Sequence, residues 1–116
     1  MRIEFNEEKK VITISTPGKN TVEISDDDKH IKLTDQNKNE IVMNSSGISL
    51  SSAKDITLKA KGAITIEATS KINATAKQDV SLEGLNVKME AKVSATVKGN
   101  AKAELLASGQ TCLLYT

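Results

Sequence analysis

The sequence predicts an all-β chain that completes its hydrophobic core only with other copies of itself. Three observations carry this. A repeat of eight residues occupies the last two-thirds of the chain. Alternation of apolar and polar residues at period two runs through nearly all of it. The third is a shortage of core material. The chain has 116 residues, an apolar fraction of 38% and an aromatic fraction of 2%, with no Trp, one Phe and one Tyr. Aromatic side chains carry much of the buried area of a compact core. A chain this short and this poor in them buries too little surface to fold alone. A short fixed period also signals a stack of like units, not a globule around a pocket.

Residues 1–46 form the first region, an entry segment of longer strand pairs and turns. Its apolar pairs are Ile3/Phe5, Ile12/Ile14, Val22/Ile24, Ile31/Leu33 and Ile41/Met43. Each reads as a strand with one buried face. Between them lie Asn6-Glu7-Glu8-Lys9, Pro17-Gly18-Lys19-Asn20, Asp26-Asp27-Asp28 and Asp35-Gln36-Asn37-Lys38-Asn39. Gly, Asn and Asp suit hairpin or corner dihedrals there.

Residues 47–116 form the second region, the octapeptide shaft. Its inward positions are Ile48/Leu50, Ile56/Leu58, Ile64/Ile66, Ile72/Ala74 and Val80/Leu82, each followed two places on by a small residue from Ser52 to Gly84. One residue is then dropped, and the pattern resumes at Val87/Met89/Ala91, Ala95/Val97/Gly99, Ala103/Leu105/Ala107 and Thr111/Leu113. The core expected to be shared between the copies therefore comprises Ile48, Leu50, Ile56, Leu58, Ile64, Ile66, Ile72, Val80, Leu82, Val87, Met89, Val97 and Leu105. Alternate positions such as Thr57, Lys59, Thr65, Glu67, Lys88 and Glu90 are polar, so each strand shows water one face. Residues 86–107 are rich in Ala and Lys, but their apolar positions keep period two, which predicts strand over helix. The dropped residue is expected at the corner Leu85-Asn86, with Leu85 packed beneath it or half exposed. A slip inside a strand would turn Val87 and Met89 outward. Leu106, Cys112 and Leu114 stand where earlier repeats are polar, and Tyr115 where they are small. A partner contact at that end and a tail foreign to the repeat both fit.

Little here points to chemistry. His30 is the one histidine and sits beside a turn, where a surface role is expected. Cys112 is the one cysteine, so no intrachain disulfide or Cys-x-x-Cys pattern exists. Metal sites need several convergent ligands, and no metal or cofactor is expected. Ser and Thr lack a partner base. Glu67 and Glu83 face outward, where charge keeps strands soluble. The outward Thr57, Thr65, Thr75 and Thr96 are too mixed with Lys, Glu, Ser and Asn for an ice-binding lattice. The acidic run Asp26-Asp27-Asp28 reads as a solvated turn. With 16 basic and 15 acidic residues the net charge is +1, so no global charge recruits nucleic acid. No enzyme is expected. Without an apolar N-terminal segment, the chain is expected to be cytoplasmic at synthesis with no Sec-type route out.

The units Asp55-Ile-Thr-Leu-Lys-Ala60, Ala63-Ile-Thr-Ile-Glu-Ala68 and Asp79-Val-Ser-Leu-Glu-Gly84, with the entry Asn39-Glu-Ile-Val-Met-Asn-Ser-Ser-Gly-Ile-Ser-Leu50, resemble the C-terminal spike of the VgrG family of type VI secretion systems. They are similar also to the needle of contractile-phage tail-spike lysozymes. The resemblance covers essentially the whole chain. It implies an intertwined triple-stranded β-helix, a triangular β-prism built as a parallel homotrimer. The residues support this independently, because a lone ribbon of short strands has two open edges and one thin apolar face. Three copies wound about one axis pair both edges with C3 symmetry. With strands ~4.8 Å apart, one chain returns to a wall every ~14 Å, and nine octads make roughly 40 Å of shaft. The family's base domains, its lysozyme domain and the His-x-His iron tip of some short phage spikes have no counterpart here.

The function this implies is a stiff needle of a contractile injection machine, which punctures a target membrane and is delivered outside the cell or into a target cell. Its implied partners are the spike base and tube upstream and a PAAR-repeat tip protein at the C-terminal end, docked through Leu105, Leu113 and Leu114. Two other classes compete. A trimeric fibre or adhesin stalk would bind a surface receptor, but would be expected to end in a head. A monomeric β-solenoid enzyme would need longer coils and clustered catalytic charges.

Overall fold

The computed structural model describes residues 1–109. The tail positions Cys112, Leu113, Leu114 and Tyr115 lie outside the described residues. Contacts divide the chain into two units, Met1–Ile66 and Glu67–Thr116. Every regular element described is a β-strand, so the chain is all-β, as its period predicts.

The first unit opens with six five-residue strands: β1 (Arg2–Asn6), β2 (Val11–Ser15), β3 (Thr21–Ser25), β4 (His30–Thr34), β5 (Glu40–Asn44) and β6 (Gly47–Ser51). They form one sheet in the order β1-β2-β3-β4-β5-β6, antiparallel throughout. Register follows from the alternation. Ile3 faces Ile14 and Phe5 faces Ile12. Ile14 faces Val22 and Ile12 faces Ile24. Val22 meets Leu33 and Ile24 meets Ile31, then Leu33 meets Ile41 and Ile31 meets Met43. Directly opposed residues share a face, so two apolar columns cross the whole sheet on one side. Ile48 and Leu50 of β6 close these columns against Met43 and Ile41. The change of spacing at residue 47 therefore precedes the end of pairing. Gly47 adopts φ 120°, and Ser46 N donates to Asn44 Oδ1 at 2.9 Å, turning the chain into one more hairpin.

The hairpins repeat every 19 residues. β1 and β3, β2 and β4, and the turns between them recur at that offset. Lys10, Lys19, Lys29 and Lys38 all take left-handed backbone, φ 54°, 69°, 54° and 71°. They fall in two 19-residue pairs. Each stands one or two residues before a strand, where the chain must reverse its direction. In two of the turns an asparagine follows the lysine and ties the turn to the next structure. Asn20 Oδ1 accepts from Gln36 N at 2.9 Å, and its equivalent Asn39 accepts from Ala53 N at 3.0 Å.

Residues 52–109 contain no strand pairing within the chain. They are extended stretches separated by bends at 53–54, 61–62, 69–70, 77–78, 85, 92–93, 100–101 and 108–109. Each stretch is six residues long, and each bend spans two residues except the single-residue bend at Leu85. The dropped residue is thus taken out of a corner, and the extended stretches on both sides keep their length. Leu85 is 99% exposed in the chain, not packed or half exposed. A one-residue bend offers no neighbouring turn for its side chain to lie against.

Candidate functional site: an apolar face without a cover

The sheet has one layer, so its two apolar columns have nothing above them within the chain. Ile12, Ile14, Ile24, Ile31, Leu33, Ile41 and Met43 are each 37–40% exposed. That remaining contact comes from neighbours in the same column. Among the described residues no hydrophobic side chain is buried. Ser25, 3% exposed, is the one buried residue, and its Oγ accepts from Asp28 N at 3.0 Å.

The octad positions are barer still. Ile48 and Leu50 lie on the sheet's apolar face. Ile56, Leu58, Ile64 and Ile66 follow on extended stretches of the first unit. Ile72, Val80, Leu82, Val87, Met89, Val97 and Leu105 occupy those of the second. Their exposure runs from 54% at Ile64 to 80% at Val97. Of the tip-docking candidates, Leu105 is exposed, and Leu113 and Leu114 fall outside the described residues. Two ion pairs fix the phase late in the repeat. Lys88 Nζ lies 3.2 Å from Glu90 Oε2, and Lys102 Nζ lies 2.8 Å from Glu104 Oε2. Residues two apart share a side of an extended strand, so Val87, Met89 and Ala91 lie together on the opposite side.

The accessible surface of the chain is 12031 Å². A compact monomer of this mass exposes roughly 6,100 Å². The difference is surface that folding of one chain leaves in water. The backbone adds to it, since the N–H and C=O groups of 52–109 have no ladder partner in the chain. Burying an Ile or Leu contributes about 1.5–3 kcal/mol, and buried peptide groups must be paired. Both demands are met at once by a cover that is itself a set of β-strands.

The polar side of the sheet carries His30, on the first residue of β4. Its Nε2 is 2.6 Å from Glu23 Oε2 on β3, and Lys32 Nζ is 3.8 Å from Glu40 Oε1 on β5. The sequence predicts a surface role for His30 and does not name Glu23 as its partner. The signal for one was available, since Glu23 lies diagonally across the hairpin and diagonal neighbours reach each other. At the turn before β5, Asp35 accepts from Asn39 N at 2.8 Å and Asn37 N at 2.9 Å. The Asn39 amide N–H, then the Asn39 side chain, hold the Asp35 carboxyl below its ordinary value of 3.8. Among the described residues no group of three His, Cys, Asp or Glu is placed to hold a metal, and no helix is long and apolar enough to cross a membrane.

An all-β chain whose apolar face and strand edges are complete only when other chains cover them defines a self-assembling structural module. The family model of the phage baseplate V C-terminal trimerisation domain matches residues 11–76, and the chain belongs to that family. The match spans β2 to β6 and the repeats as far as Ala76. Membership in a trimerisation-domain family supports a homotrimer with a structural role in a phage-like tail spike. No curated protein matches the chain.

Proposed function

We propose that the chain is the needle section of the spike of a contractile injection machine of the VgrG type. In this reading three parallel copies close a triangular prism. The sheets of residues 1–51 meet by their apolar columns, and the octads of the three copies interleave as a triple-stranded β-helix. The carrying observation is the long extended segment whose backbone and apolar side chains find no partner in their own chain. Strands from other copies satisfy both, and the matched family is a trimerisation domain. Interlocked chains cannot separate without unwinding, and pairing continuous around an axis resists bending. Those are the properties needed to drive a shaft through a membrane with force supplied by a sheath. The role is mechanical, with no catalysis. Synthesis is cytoplasmic, and the needle leaves the cell as part of the machine. A PAAR-repeat protein caps its C-terminal end through Leu105, Leu113 and Leu114.

Sedimentation equilibrium tests the assembly. A trimer with almost no folded monomer at micromolar concentration is expected, and a stable folded monomer overturns the reading. Mixing the purified trimer with a PAAR-repeat protein tests the tip. One such protein per trimer, lost in Leu105→Asp, is the expected outcome.

A further inference from the structure

Resting on that trimeric reading, we propose that two outward charge pairs of the second unit are inter-copy ion pairs that set the stagger between chains. Lys71 of one copy meets Asp79 of the next, and Glu90 meets Lys98. The geometry starts from the bends. In residues 71–99 the extended stretches are 71–76, 79–84, 86–91 and 94–99, and no two of them pair within the chain. If a chain visits three walls in turn and rises one strand spacing per visit, it returns to a wall after three stretches. The two places between are filled by the other copies, because C3 symmetry puts all three at every height. Each wall then stacks successive stretches in sequence order, about 4.8 Å apart, each from a different chain.

Aligning the stretches gives the neighbours. Lys71 and Asp79 both open a stretch and become adjacent across two chains. Thr75, Glu83, Glu90 and Lys98 occupy one equivalent outward position, and they stack in that order. Glu90 thus has Lys98 on one side and Glu83 on the other. The like pair Glu83–Glu90 is costly by itself. It is relieved from two directions, by Lys98 of the second copy and by Lys88 of the same strand, 3.2 Å from Glu90. A chain displaced by one stretch loses this set of opposite-sign neighbours, so the charges distinguish one stagger from others that bury similar apolar faces.

Cysteine pairs read the stagger directly, in a Cys112→Ser background. Adjacent strands bring Cα atoms within disulfide range, and strands two apart do not. Glu90→Cys with Lys98→Cys is expected to give a covalently closed trimer on oxidation. Thr75→Cys with Glu90→Cys, two stretches apart, is expected to give none. A sedimenting trimer that fails to cross-link at 90/98, or links equally at 75/90, overturns the stagger and leaves the trimer standing. Absence of any trimer overturns both. A charge swap supplies the second arm. Lys71→Glu and Asp79→Lys are each expected to lower the melting temperature by about 2–5 °C at low salt, with little loss in 1 M salt. The double variant is expected to recover it. Losses that simply add in the double variant overturn the pair.

Discussion

Single residues show how much of this chain's character rests on side-chain class at alternating positions. Ile64 and Thr65 are neighbours in sequence with opposite duties. In the proposed prism Ile64→Asp places three carboxylates near the axis, a loss on the order of 3 kcal/mol per chain, and is expected to disperse the assembly. Thr65→Asp faces water and is expected to melt with the parent. Equal melting temperatures for the two variants, measured by circular dichroism, would show that the inward and outward faces are exchanged. Asp35 has a different role. Its carboxyl is depressed because its charged form accepts the amides of Asn39 and Asn37. A depressed carboxylate contributes stability that is present above the unfolded value near 3.8 and lost as the pH falls through the lower folded value. Asp35→Ala is therefore expected to melt below the parent at pH 7 and to approach it at pH 2. Thermal melts across that window check the sign.

Elements were legible in the sequence to the extent that alternation defines a face. The five pairs from Ile3/Phe5 to Ile41/Met43 fall on β1 to β5. Alternation says which residues share a face, but it does not name the neighbouring strand. That is why the antiparallel meander, and β6 as its last member, emerge only from the paired register. The 19-residue hairpin repeat was hidden for a related reason. Apolar pairs spaced nine or ten apart look irregular until two strands are taken as one unit. The signal that exposes it is the recurrence of Lys19-Asn20 as Lys38-Asn39, with Lys10 recurring as Lys29. Asn39 marks the end of the sheet. Its Oδ1 receives Ala53 N at 3.0 Å and lies 3.1 Å from Ser52 Oγ, while its Nδ2 donates to Asp35 Oδ2 at 2.9 Å. Asn39→Ala is expected to cost about 1–2 kcal/mol and to speed amide exchange at Ala53. The same change at Asn20, inside the meander, leaves Ala53 protected.

For the molecule as a whole, the apolar face could be read from the sequence, and its residues, except the half-buried Val22, are exposed in the single chain. Which copies cover it, and in what stagger, could not. An uncovered face specifies the chemistry of its partner but not the partner's height along the stack. The corner at Leu85 gives a test of continuity at this scale. Inserting one residue beside Leu85 restores a two-residue bend and is expected to preserve the trimer. Inserting one between Val87 and Lys88 reverses the faces of everything beyond and is expected to destroy it. Sedimentation of the two insertions, which differ in place by two or three residues, separates a corner from a strand.

The division between a segment that pairs with itself and one that does not also orders events in time. Hairpins close in about 1–10 μs, so the pairing of residues 1–51 can begin within a solitary chain, although its uncovered apolar face keeps it from persisting there. The octads have no such option, because every ladder they make waits for an encounter. Assembly is then a reaction whose speed depends on concentration. In the proposed prism the meander gathers three chains, and the octads zip afterwards toward the C-terminus. Refolding half-times that shorten as the chain is concentrated, with a fast hairpin-closing phase that does not, are the kinetic signature expected of a molecule whose first half can start pairing alone and whose second half must be met.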